Sequence, residues 1–134
     1  MKPEPNEQVL HWLEKQSSDT LFSTVINEAE TLYGISLLPP GSRRERLQAQ
    51  ASKLFGDIFR GRLLPLESAG AVIYGQIASN RRLLGKPIAP LDALIAAITV
   101  SCGAALVTRN VVDFRDCGLS LINPWDPNSR SALQ

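Results

Sequence analysis

The stretch PLDALIAAITVSCGAALV, Pro90 to Val107, constrains the fold more than any other part of the chain. From about Leu91 the spacing of Leu94, Ile95, Ile98 and Thr99 predicts a helix with one apolar side, and Gly103 closes it. AALV then follows as a short buried strand. A helix that returns at once into a buried strand is half of an α/β unit. One carboxylate, Asp92, interrupts the apolar run, and burying it without a partner costs several kcal/mol.

The rest of the sequence repeats this alternation. Asn6 caps a short helix bearing Val9, Leu10, Trp12 and Leu13. TLFSTVI, Thr20 to Ile26, is rich in β-branched residues and predicts a strand, with a helix from Asn27 through Tyr33 that breaks at LLPPG. SRRERLQAQASKLFGDIF predicts a helix with Leu47, Ala51, Leu54, Phe55 and Ile58 on one face. RLLPLE is a strand whose Pro65 places it at an edge. Ser68 caps the next helix, with Val72, Ile73, Ile77 and Ala78 towards the core and Gly85 at its end. LSLINPW is a last strand, stopped by Pro124. Leu32, Tyr33 and Leu37, and Ile73, Tyr74 and Ile77, are assigned to the core. The pattern predicts a three-layer α/β/α fold on a parallel sheet, one domain over residues 1–125 and a flexible tail over 126–134.

Composition bounds the function. With 134 residues, 44% hydrophobic and 20% charged, the chain can bury a single core. A net charge of +1 provides no global field for nucleic acid or membrane, so any polyanion must be held locally. Cys102 and Cys117 lack metal-ligand spacing and are expected to be reduced thiols in a cytoplasmic protein. No apolar run approaches the ~20 residues of a membrane span. His11, the only histidine, has no nucleophile motif near it, and there is no GxGxxG or Walker sequence.

In a parallel sheet the strand C-termini and the N-termini of the returning helices share one edge, where ligands bind. Glu30 lies in the first turns after FSTVI, Asp92 in the first turn before AALV, and Asp113 in the loop after AALV. Each acid alone could complement a helix dipole or cap a turn. Three converging on one edge suggest a divalent cation. Carboxylates without His or Cys suit Mg²⁺ or Mn²⁺, which position water and stabilise phosphodiester cleavage. Arg43, Arg44, Arg46, Arg60 and Arg62 form solvated faces. Arg81, Arg82 and Lys86 complement a helix C-terminus and are where RNA phosphates would be contacted.

Four segments carry a family resemblance: EAETLYGI (Glu28 to Ile35), APLDALIAAI (Ala89 to Ile98), LVTRNVVDF (Leu106 to Phe114) and LINPW (Leu121 to Trp125). In order and spacing the set resembles PIN-domain ribonucleases of the VapC toxin type, in the FitB-like branch. The resemblance implies a metal-dependent endoribonuclease acting on RNA, silenced by a cognate antitoxin protein, and a homodimer. DNA would be reached only through an antitoxin complex. By position, Glu30, Asp92 and Asp113 match the family's metal-binding acids. Asn110 stands where the family has an alternative acid, so Asp113 is the ligand candidate and Asn110 a hydrogen-bonding neighbour. Thr108 and Arg109 would orient that loop, and Arg109 could also meet phosphate.

The family pattern begins with a strand ending in LDTNV, whose Asp is a principal ligand. This sequence opens on MKPEPNEQVLHWL, which matches a later segment. An N-terminally truncated domain, lacking its central strand and one acid, is therefore expected. Its alternative function is a catalytically inactive remnant that binds an antitoxin or dimerises.

Overall fold

The computed structural model describes residues 22–107, 114 and 116–122. The predicted helix after Asn6, His11, the TRN segment, Asp113 and the tail lie outside the described residues. Packing divides the chain at the Leu64–Pro65 junction into two compact units.

In the first unit, β1 is only Ser23–Thr24 and runs straight into α1, Val25–Ser36. The expected strand to Ile26 is corrected because Thr24 is an N-cap. Its Oγ1 accepts the Asn27 backbone N–H at 3.0 Å and donates to Asn27 Oδ1 at 2.7 Å. The first of these bonds satisfies an orphan donor of the opening turn and outweighs the β preference of Val25 and Ile26. Helix α2, Ser42–Lys53, continues into a π-helical turn, Leu54–Ile58. Leu47, Ala51, Phe55 and Phe59 are buried, the two rings 6.5 Å apart. The strand β2, Leu63–Leu64, pairs in parallel with β1, and Pro65 follows it directly.

The buried stripe of α1 is Asn27, Thr31 and Ile35. Leu32, Tyr33 and Leu37 are exposed, Tyr33 by 67%, which corrects their assignment to the core.

In the second unit, α3 spans Ser68–Leu83 and α4 Pro90–Ser101. Ser68 is the first helical residue and Glu67 the cap position, one earlier than expected. Val72 is exposed, whereas Ile77 is buried and Ile73 and Tyr74 are half-buried. Helix α4 is covered almost all round: Ala93, Ile95, Ala96, Ala97 and Ile98 have no exposure. Such a helix can carry a polar side chain only at an end or with a local partner. Thr99 and Ser101 accordingly donate to the carbonyls of Ile95 and Ile98.

Both helices end as their glycines predict. Gly85 and Gly103 take φ of 73° and 64°, and the residues after them, Lys86 and Ala104, donate back to the carbonyls of Arg81 and Thr99. These six-residue closures require the left-handed backbone that glycine adopts at no steric cost. Strand β3, Ala105–Val107, then pairs in parallel with β4, Ser120–Ile122. The α/β class with parallel strands is as expected, with two strands in each unit's sheet. Both cysteines are free, Cys102 exposed and Cys117 buried. Among the described residues, no helix is long and apolar enough to cross a membrane.

Candidate metal centre

Asp92 occupies the first turn of α4. Pro90 opens the helix, where a missing N–H costs nothing, and Ala89 supplies no capping side chain. A carboxylate two residues further on faces the unpaired N–H groups and the positive end of the helix. Asp92 is nevertheless buried, at 8% exposure. Helix α4 turns back through Cys102 and Gly103 into β3, against which it packs. Over nine residues the helix rises about 14 Å, and three strand residues return about 10 Å of that. Asp92 therefore lies at the end of the unit where β3 finishes at Val107. Thr108, Arg109, Asn110 and Asp113 continue the chain from that end and lie outside the described residues.

Glu30 stands in the second turn of α1, half-buried. Its Oε1 is shielded from solvent, and the side chain is engaged in a polar interaction of its own.

The basic residues at the end of α3 divide in two. Arg82 and Lys86 are exposed, and Lys86 Nζ lies 3.9 Å from Asp116 Oδ2 at the surface. Arg81 is buried, at 6% exposure. Its Nε donates to the Lys86 carbonyl at 2.6 Å and its Nη1 to Cys117 Sγ at 3.5 Å. This corrects its grouping with the phosphate contacts: the guanidinium is committed inside the protein. The sequence hid this because Arg81 and Arg82 complement the helix end equally well, and only burial separates them.

The Cys117 thiol is pushed above its ordinary pKa, chiefly by burial, with the Asp116 and Asp92 charges adding to the rise. The hydrogen bond and charge of Arg81 oppose it without overcoming it. Cys117 therefore stays a neutral thiol near Asp92 and supplies no soft thiolate. Among the described residues, no three His, Cys, Asp or Glu side chains are grouped closely enough to hold a metal ion. The donors that Asp92 and Glu30 offer are carboxylate oxygens without imidazole or thiolate, a chemistry that fits Mg²⁺ or Mn²⁺ rather than zinc.

An α/β chain with short parallel strands, helices entering from their C-terminal ends and a buried acid at one such helix start defines a class of nuclease-like domains. The PIN domain family matches residues 2–117, and the chain belongs to it. The chain is 34% identical to the VapC ribonuclease Y4jK of Sinorhizobium fredii, over 94% of this chain and 90% of that protein. It is 32% identical to Toxin FitB of Neisseria gonorrhoeae, over 93% and 90%. The solved structure of FitAB bound to an IR36 DNA fragment superposes with a TM-score of 0.77 at 32% identity, covering 93% of this chain and 87% of that one.

Proposed function

We propose that the protein is an endoribonuclease toxin of the VapC type, and that Glu30, Asp92 and Asp113 hold the Mg²⁺ or Mn²⁺ on which RNA cleavage depends. The observation that carries this reading is a carboxylate buried at the start of an otherwise apolar helix, in a PIN-family chain similar over nine-tenths of its length to a VapC ribonuclease. A cation bound there supplies water activation and charge stabilisation for phosphodiester cleavage.

The chain's own contribution is to hold its acids ready. Asp92 is fixed by a helix whose packing leaves it little freedom, so the carboxylate loses little entropy on binding a cation. Glu30 is held by α1 in the same manner, with Thr24 setting where that helix begins. Thr108, Arg109 and Asn110 orient the loop that brings Asp113, and Arg109 together with the exposed Arg82 and Lys86 meets RNA phosphates.

The partner is a cognate antitoxin, as the FitAB assembly suggests, and DNA is reached through that complex because this near-neutral chain has no field of its own. Exposed Tyr33 and Leu37 supply apolar surface for that protein or for a second copy in a homodimer.

The test is RNA cleavage by the purified chain with and without chelator. Cleavage should require Mg²⁺ or Mn²⁺, and Asp92→Asn should lower it roughly 100-fold or more while leaving the circular dichroism spectrum unchanged. Undiminished cleavage by that variant would remove Asp92 from the site. A folded wild-type chain inert with either cation would favour a module that only binds its partner.

A further inference from the structure

Arg81 is built into its surroundings more firmly than a surface arginine at a helix end needs to be. Its carbonyl accepts the Lys86 N–H at 2.9 Å, and its own Nε returns a hydrogen bond to the Lys86 carbonyl at 2.6 Å. The reciprocal pair locks the closing turn of α3 and leaves the rest of the guanidinium directed at the segment between β3 and β4. There Nη1 meets the Cys117 thiol, a weak acceptor for a donor of this strength, at 3.5 Å. Burying a guanidinium is costly, and neutralising a helix dipole could be done at the surface, as Arg82 does. The arrangement makes sense as a tether.

What it tethers is specific. Phe114, at 1% exposure, and Cys117, at 5%, anchor a short segment in which Asp116 takes the left-handed backbone (φ 61°) and Gly118 follows at 76°. Lys86 reaches the same segment at the surface through Asp116, so one helix end touches it twice. Asp92 is close enough for its charge to act on the Cys117 thiol. In the sequence, Asp113 directly precedes Phe114.

We propose that Arg81 is a positioning residue for the acidic centre: fixed in the closing turn of α3, its guanidinium holds the chain at Cys117, and with it the segment that follows Asp113, beside Asp92. The inference rests on the proposed role of these acids in cation binding. It assigns Arg81 no contact with RNA or metal.

The test is Mn²⁺ titration calorimetry on the full chain without RNA. Arg81→Met and Cys117→Ala should each weaken Mn²⁺ binding about 10-fold, the lower end of what removing a supporting partner costs a metal site. The double variant should be no weaker than either single one, because both remove the same link. Cys117→Ser, whose hydroxyl still accepts from the guanidinium, should retain affinity near wild type; a loss of packing alone would lower the melting temperature without this pattern. Wild-type Mn²⁺ affinity in folded Arg81→Met, or additive losses in the double variant, would overturn the tether. If Arg81→Met does not fold, Cys117→Ala decides by the same criterion. A wild-type chain that binds no Mn²⁺ would overturn the cation reading, and this inference with it.

Discussion

Thr24 carries two demands on one hydroxyl. It ends β1 and caps α1, accepting from the Asn27 backbone and donating to the Asn27 side chain. Thr24→Ala should therefore destabilise the protein by about 1–2 kcal/mol. A urea titration should show the midpoint falling with no change in slope, and an unchanged midpoint would show that the cap contributes nothing. The same residue explains the largest error of boundary. Thr24, Val25 and Ile26 are β-branched and extend an apolar run, so composition favours strand, while the decisive factor is one local hydrogen bond that propensity does not contain. Asp92 was legible for the opposite reason: a lone acid in an apolar helix has few inexpensive explanations. Arg81 was not legible as an internal tether, since its distinction from Arg82 exists only once the chain is folded.

Gly70 shows what the pairing of α3 with α4 requires at the level of elements. A Cβ there would come within 3.1 Å of Leu66 Cδ1, with Ser101 Oγ and Ile98 Cγ1 at 3.9 and 4.0 Å. Leu66 is exposed and its methyl can move, so Gly70→Ala should be close to neutral, the crowding offset by a helix-propensity gain of up to about 1 kcal/mol. Gly70→Val adds branches facing α4 and should cost roughly 1–3 kcal/mol. Thermal unfolding of the two variants separates these outcomes, and equal stability would mean that the helices part without penalty. Helix ends at Gly85 and Gly103 were legible because the left-handed turn selects glycine. The buried face of α1 was not. Periodicity marks Leu32 and Tyr33 as a stripe, yet Asn27, Thr31 and Ile35 face inward. Apolar spacing shows only where apolar residues lie, and a helix that keeps apolar surface for a partner breaks the assumption that they lie inside.

For the whole molecule, a charge of +1 means that RNA affinity must come from a few local contacts. Replacing exposed Arg82 and Lys86 by Gln should lower the slope of log affinity against log salt by about 1.4, near 0.7 for each phosphate of a single strand that is no longer neutralised. An unchanged slope would remove both from the footprint. Parallel α/β architecture was legible from alternating helices and short apolar runs. The pairing of β1 with β2 and of β3 with β4 was not, because pairing is set by residues distant in sequence. The central claim is that three acids, spread over 84 positions of sequence, act on one cation. Mn²⁺ titration of Glu30→Gln, Asp92→Asn and Asp113→Asn beside the wild type tests it most directly. Each substitution should weaken binding at least about 10-fold without unfolding the chain, an effect at or above that of removing a supporting partner. Wild-type affinity in all three would place the cation, and the chemistry that depends on it, elsewhere.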